Sequence, residues 1–572
     1  MRIHKSYLFL LAGLITSSAL FAQKTLIESN CHNADKILMH ATFITLNEAQ
    51  PEASAVAIKQ ERIVAVGNEE TLLEACKGHD TTLIDLKGAT VTPGFIDTYS
   101  HFILYGWLAN HSLDLSTTNA FQRTHWKPAK TIDDFLIAIK ANLDPKKTWL
   151  IISGYDEGRV QGAVLDQAKL DEIDTIQPII VFHASGQKVL LNSSAIRKIQ
   201  QDKMLRSIYI DYEGIISGDN LNQFLKAFIK PEEVIEAIET AAKHYAKQGY
   251  TTITEVNDLA SWVTQYNALT QSHDFPLDVI YSTSNAKRRQ QLDQVSQQNP
   301  RMYPGPVVIK VDGLAQNYAA YLTTPYIQTT SPFGSDWRGA LKSSPNELEH
   351  EITSLLKQKI PLAIEAHGDA AIDFSLNLLQ KVEKEGPSPI LINIEYIRED
   401  QLQRLKLLGI QASWFSPYLF YWGENMCHAR LGPERALQMN PLHSAKKILG
   451  LTTAHANSPA VPPSPIDAMN WMTTRIVQRW NYPVNRRCPQ YFNIDERVSM
   501  QEALESFTLD AAKLYQLDHE KGSIEPGKLA DMTILSHNPL KNLNDPLTVK
   551  GTIARGIIHL QEEKESRVLP RL

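Results

Sequence analysis

The chain has 572 residues, 43% of them hydrophobic and 21% charged, and a formal net charge of −6. Those values are ordinary for a soluble globular protein with a sizeable core, and the excess of acid excludes a nucleic-acid surface or an anionic membrane as principal partner. Length alone allows roughly three to four domain-sized units, or one large barrel with additions.

The first residues read as a targeting segment. Arg2, His4 and Lys5 precede an apolar run from Tyr7 to Leu20, and small or permissive residues follow from Ala19 to Ala22. This pattern predicts a secretory signal peptide over residues 1–22, with Ala19 as a second cleavage point. The competing reading is an uncleaved anchor, for which the run is short. Nothing after residue 25 is apolar for long enough to span a membrane. The mature protein is expected to be soluble and exported, to a periplasm or to the medium. Cys31, Cys76, Cys427 and Cys488 suit an oxidising compartment and lack the CxxC spacing of a structural zinc site. Cys31 with Cys76 is the favoured pair, because both fall in one small N-terminal unit. Free buried thiols are the alternative.

Short β-type runs follow at 36–39, 55–59, 62–66 and 82–86, separated by Pro, Gly and Asn turns. Similar material returns only at the other end, in the turn and strand from Gly522 to Leu535 and around Gly556. The two ends are therefore expected to meet in a single small β domain. Between them apolar strands alternate with helical patterns, the mark of βα units and a parallel sheet. The strands are expected at 91–98, 150–154, 179–183, 251–255, 307–311, 362–366, 392–396, 411–415 and 450–455. That is enough for a (β/α)₈ barrel with additions. Residues 261–304, polar and aperiodic in places, are read as a cover for the barrel mouth, and 290–298 as a solvated helix.

The run Val91-Thr-Pro-Gly-Phe-Ile-Asp-Thr-Tyr-Ser-His101 is the most informative stretch. Residues two apart on a strand share a face, so a strand ending His-x-His can present two imidazoles to a metal at a barrel mouth. Here Tyr99 stands where the first imidazole would be, and only His101 remains.

With Gly368-Asp-Ala-Ala-Ile-Asp373, Tyr421-Trp-Gly423, Leu431-Gly-Pro-Glu-Arg-Ala436 and Gly522-Ser-Ile-Glu-Pro-Gly-Lys-Leu-Ala-Asp531, this run resembles the amidohydrolase superfamily. The branch it resembles is the amidohydrolase-3 group, which holds N-substituted formamide deformylases and exoenzyme-regulatory proteins. The likeness covers about residues 34–560. It implies an α/β fold: a TIM-type (β/α)₈ barrel over 92–505 and a β-sandwich built from 23–91 and 506–572. It also implies hydrolysis of non-peptide C–N bonds by water activated on a Zn-type ion, with a carboxylate on strand eight moving the proton.

The family's ligands are largely replaced. Lys310 on strand four is the implied residue. Glu365 stands in place of a strand-five His, Tyr396 in place of the strand-six His, and Asn457 in place of the strand-eight Asp. Gln187 and Tyr418 replace two further family-like His. An amide cannot act as a base, so Asn457 marks the base position without its chemistry. Tyr99 and Tyr396 are poor zinc ligands near neutral pH. A rearranged mononuclear set of His101, Glu365, His367 and His455 is the remaining metal reading, one divalent ion of the Zn type and no cofactor at all being equally open. Lys310 is read as a charged partner of Glu365. Tyr99, Gln187, Tyr396, Tyr418 and Trp422 would line an aromatic substrate pocket. Two functions follow: a C–N hydrolase with a reduced or rearranged site, or a pseudoenzyme that binds a small molecule or a protein at the barrel mouth. Family analogy adds a homodimer.

Overall fold

The computed structural model describes residues 31–561 apart from 257–262, 273, 328–333, 383–385, 481, 483–484 and 543–544. The expected signal peptide at 1–22 lies outside the described residues. Packing divides the chain into two units. One comprises the described residues up to Phe95, Gly249–Thr251 and the described residues from Tyr515; the other comprises those of Ile96–Gln248 and Thr252–Leu514. Among the described residues no helix is long and apolar enough to cross a membrane.

The first unit holds two sheets. One orders Arg62–Gly67, Ala55–Lys59, Lys36–Met39 and Thr82–Asp85 side by side. The other orders Ile557–Leu560, Val549–Ala554, Met532–Leu535, Thr90–Pro93, Thr42–Ile44 and Glu52–Ala53. The two chain ends meet where Met532–Leu535 pairs antiparallel with Thr90–Pro93. Leu38, Phe43, Val56, Ile58, Val91, Met532, Ile534 and Ile553 fill the core. Cys31 is bonded to Cys76 in this unit, and Cys427 to Cys488 in the other. In the chain-entropy account each bond is worth about 4 kcal/mol for a loop of such length.

The second unit carries eight parallel strands in chain order: Phe95–Ser100, Tyr250–Val256, Asp278–Thr283, Met302–Lys310, Leu362–Glu365, Ile390–Ile392, Gln411–Phe415 and Thr453–His455. We call these barrel strands one to eight. Strand one returns beside strands seven and eight, since Thr98 Oγ1 lies 2.7 Å from Ser413 Oγ and 3.4 Å from the Ala454 carbonyl oxygen. The sheet is thus a nearly closed (β/α)₈ barrel, buried on both faces, as its apolar strands require.

Two expectations about the barrel are corrected. The runs at 150–154 and 179–183 are strands, but they belong to a separate five-stranded sheet inserted between barrel strands one and two. Its order is Ile215–Ser217, Lys188–Leu191, Ile179–His183, Leu150–Tyr155 and Leu113–Asp114. They are apolar because they bury their own core, with Phe135, Ile152, Leu170 and Val181, and periodicity cannot assign a buried strand to one sheet or another. The third barrel strand is instead Asp278–Thr283, inside the segment read as a cover. Its side chains are all buried, yet half of them are polar, and the helices on either side, Val263–Thr270 and Ala286–Ser296, hide it in a polar context.

The run at 91–98 is likewise divided. It breaks at Gly94, between Thr90–Pro93 and Phe95–Ser100, where a Cβ would stand 2.1 Å from Thr251 Oγ1. A second close approach joins helix Phe102–His111 to helix Pro231–Lys247, where a Cβ on Gly106 would meet the Ala237 carbonyl oxygen at 1.9 Å. Backbone cannot yield as a side chain can. Gly106→Ala is therefore expected to cost about 1–3 kcal/mol by overpacking. The urea midpoint measures this, and an unchanged midpoint would show that the two helices slide apart freely.

Candidate functional site

The side chains picked out by sequence gather at the C-terminal ends of the barrel strands, the face that carries active sites in this architecture. Lys310, Glu365 and His455 are the last residues of strands four, five and eight. Tyr99 lies in strand one, and His101 caps the helix that follows it. Lys310 and Glu365 are direct register partners on adjacent strands.

Glu365 is the hub. Its side chain is buried, and it accepts a hydrogen bond of 2.5 Å from the Tyr99 hydroxyl. Lys310 Nζ stands 3.5 Å from the same oxygen, and His367 Nε2 lies 3.2 Å from the other. Burial pushes the Glu365 carboxyl up, but Lys310, His367 and Lys342 outweigh it and hold the group well below the ordinary carboxylate range. Lys342, from the loop before the helix Pro345–Lys357, carried no signal in the sequence.

His367 is held between two carboxylates. Its Nδ1 donates to Glu395 at 2.9 Å, while Nε2 faces Glu365. Burial alone would lower its pKa; Glu395, Glu365 and Asp312 raise it to about 10. The ring is an imidazolium with both nitrogens carrying protons, so it has no lone pair to offer a metal. Asp312 fixes the turn beneath it, accepting from the backbone N–H groups of His367, Gly368 and Tyr321 at 2.7–2.8 Å. Glu395 carried no signal of its own in the sequence; its role appears only when strands five and six are side by side.

His101 and His455 differ from His367. Burial is the main cause that lowers them, to about 4 and about 3 respectively, so both are neutral imidazoles above mild acid. His101 Nδ1 donates to the Val256 carbonyl at 2.8 Å, which leaves Nε2 as the lone-pair nitrogen. His455 is fully buried, packs on Phe415 and Tyr99, and has no hydrogen-bond partner for either nitrogen among the described residues. Unpartnered buried imidazole nitrogens are costly unless something binds them.

The fit to a divalent ion is partial. His101, His455 and Glu365 keep the right donor chemistry, while His367 does not. Ligands about 2.1 Å from a tetrahedral ion lie roughly 3.4 Å from one another. Among the described residues, the only three such side chains that bring one ligand atom each within 4.8 Å of one another are Asp156, Glu157 and His183. The barrel set does not converge, because Tyr99, Lys310 and His367 draw Glu365 onto themselves. Asn457, expected at the base position, adopts a left-handed backbone with φ 52° and precedes the cis Ser458–Pro459 bond.

The aromatic residues expected to line a pocket are mostly packed away. Tyr99, Tyr418 and Trp422 are buried, and their polar atoms are already taken. The Tyr418 hydroxyl donates to Gln316 Oε1 at 2.5 Å and the Trp422 indole N–H to Asp156 at 2.8 Å. Tyr396 is only half-buried, and its hydroxyl donates to that of Tyr418 at 3.3 Å. Gln187 comes from the inserted sheet and reaches the barrel mouth, its Oε1 standing 3.6 Å from where a Cβ on Gly313 would be.

The His367 clamp has a pH consequence. Its pKa is 6.5 when unperturbed and about 10 here, so its contribution to stability is complete below pH 6.5 and is lost as pH rises through 10. Unfolding free energy measured across that interval is expected to fall, and His367→Gln should flatten the fall. An equally steep fall in the variant would show that the ion pair carries no net stability.

Residues 82–558 match the amidohydrolase family. The chain is 25% identical to protein LONG AFTER FAR-RED 3 of Arabidopsis thaliana, over 88% of each chain. It is 23% identical to the N-substituted formamide deformylase of Arthrobacter pascens, over 88% of this chain and 94% of that one. Among solved structures, an uncharacterized metal-dependent hydrolase from Pyrococcus horikoshii superposes with a TM-score of 0.67 at 20% identity, covering 88% of this chain and 98% of the other. That likeness concerns the fold: a TIM-type barrel with an additional β domain. The match over most of its length places this chain in the amidohydrolase family of hydrolases, in the amidohydrolase-3 branch.

Proposed function

We propose that this protein is an exported hydrolase of non-peptide carbon–nitrogen bonds, with a metal site reduced to a single divalent ion that His101 and His455 hold once Glu365 turns toward it from Lys310 and His367. The observation that carries the reading is His455, a buried neutral imidazole with both nitrogens unpartnered among the described residues, set against the open Nε2 of His101. When bound, such an ion lowers the pKa of water toward ~7 and polarises a carbonyl. The chain's own residues do the rest. The Val256 carbonyl fixes the His101 tautomer, as outer partners of metal ligands do. Lys310 and the His367 imidazolium hold Glu365 ionised, and the half-exposed Gln187 and Tyr396 give a small polar substrate its hydrogen bonds.

The second reading, a pseudoenzyme that binds a small molecule or a protein, is favoured by Asn457, which supplies no base, and by the completeness of the Glu365 hydrogen bonding. Metal content separates the two. Elemental mass spectrometry of the mature protein, grown with zinc and manganese, is expected to find about one ion per chain, consistent with a site that has lost its second metal. A value near zero after reconstitution would end the metal-hydrolase reading.

Competition for Glu365 sets the affinity. Lys310→Met removes the cation 3.5 Å from the carboxylate and should raise divalent-ion affinity by about tenfold or more, at ~1.4 kcal/mol per decade. Titration calorimetry reads the change directly; a weaker site in the variant would mean that Lys310 supports the ion instead of competing with it. Formamides, ureas and acylated amines are the substrates to screen.

A further inference from the structure

We propose that this chain carries a second, metal-independent catalytic site on the inserted sheet: Ser185 as nucleophile, His183 as general base and Glu157 as the carboxylate that orients the imidazole, acting on carboxylic esters. It is independent of the reading given for the barrel mouth.

The placement follows from topology. Leu150–Tyr155 and Ile179–His183 are parallel neighbours with Tyr155 opposite His183, so Glu157 and His183 project from the C-terminal ends of adjacent strands. That edge is where open α/β sheets bind ligands. His183 Nε2 lies 2.7 Å from Glu157 Oε2, and His183 Nδ1 lies 2.7 Å from Ser185 Oγ. A nucleophile bonded to a base that a third group orients is the arrangement covalent catalysis needs.

The tautomer is settled by the backbone. The Ser185 N–H, which can only donate, points at Nδ1 from 3.0 Å. Nδ1 is therefore the lone-pair nitrogen, and the ring proton sits on Nε2, directed at Glu157. This is the state in which His183 can take the Ser185 proton. Lys188 Nζ holds the other Glu157 oxygen at 3.0 Å, and the Tyr155 ring packs edge-on against the imidazole at 6.1 Å. Burial pushes the Glu157 carboxyl up, but the hydrogen bond from His183 Nε2 and the Lys188 ammonium draw it down and keep it ionised.

The nucleophile is also reachable. His183 is only 4% exposed, but Ser185 is half-exposed, and a Cβ on the neighbouring Gly186, at φ 67°, would meet nothing within 4 Å. The Gln187 backbone N–H donates to Ser185 Oγ at 3.3 Å and so orients the attacking hydroxyl. Asp156 completes the only close His/Asp/Glu group among the described residues, but its oxygens accept from Trp422 and the Gly158 N–H, and Lys188 already neutralises Glu157. The cluster is thus satisfied as a proton relay without a cation.

The reaction balances. Ser185 Oγ adds to the ester carbonyl carbon as its proton passes to His183 Nδ1. The carbon–oxygen bond to the alcohol breaks, and the alcohol leaves with that proton. Water then adds to the acyl-serine and gives a proton to His183, and the carboxylic acid departs as Ser185 Oγ is reprotonated.

The test is covalent labelling of the mature protein with a fluorophosphonate probe, located by peptide mass spectrometry, together with turnover of p-nitrophenyl acetate. An adduct on Ser185 is expected. Turnover should resist chelators and fall by about 10²-fold or more in Ser185→Ala, and by a similar factor in His183→Gln. Ser185 sits in a half-exposed turn, so its alanine variant keeps the fold, and Glu157→Gln keeps the shape of the site while slowing labelling. Absence of an adduct at Ser185 would overturn the proposal. So would full ester turnover in Ser185→Ala, or a stoichiometric metal ion that Glu157→Gln releases.

Discussion

A carboxylate buried at the end of a barrel strand has to be neutralised, and the way Glu365 is neutralised organises the mouth of this barrel. An uncompensated charge there would cost several kcal/mol. A metal ion is one answer in this architecture. Here protein cations supply another: Lys310 stands on the next strand in direct register, and His367 lies two residues on, on the same side. The second cation then needs its own counter-charge, which Glu395 provides from the turn after strand six. Asp312 in turn pins the backbone that carries His367. Each member is in place because the previous one would otherwise be an isolated buried charge.

This chain of compensation separates the histidines into two kinds. His367 is flanked by carboxylates and stays protonated, while burial, joined by Lys310 at His101 and by His367 at His455, keeps His101 and His455 neutral. The same residue type thus serves as a fixed cation in one place and as a lone-pair donor in another. Tyr99 contributes a hydroxyl to Glu365 and packs its ring against His101 and His455, so one side chain satisfies the carboxylate and packs the imidazoles.

The inserted sheet is more than an ornament on the barrel. Asp156 receives the Trp422 indole N–H from the helix after strand seven, and Arg159 lies over the rings of Tyr421, Trp422 and Trp480. The Cys427–Cys488 bond ties the same helix region to the loop that carries Trp480. Glu424 accepts from the Trp480 backbone N–H and adds to that anchorage. The sheet that bears Glu157, His183 and Ser185 is therefore held rigidly, which is what a preorganised relay requires.

Much of this was legible in the residues alone. The alternation of apolar strands and helices established the barrel, the β-rich ends established the second domain, and the pairing of Cys31 with Cys76 followed from proximity in one small unit. The run ending Tyr99-Ser-His101 and the pairs Glu365/His367 and His455/Asn457 pointed to the mouth because the strand period places such residues on one face. Allocation of strands to sheets was not legible, since a buried apolar strand reads the same in either parallel sheet, and Asp278–Thr283 was masked by polar helices on both sides. Protonation was not legible either. Whether His367 is a ligand or a cation depends on Glu395, 28 residues away and beyond the end of another strand, and a sequence carries no electrostatic field until the chain has folded. Local residue type determines what a side chain can do; only the tertiary structure decides which charges it meets and so what it does.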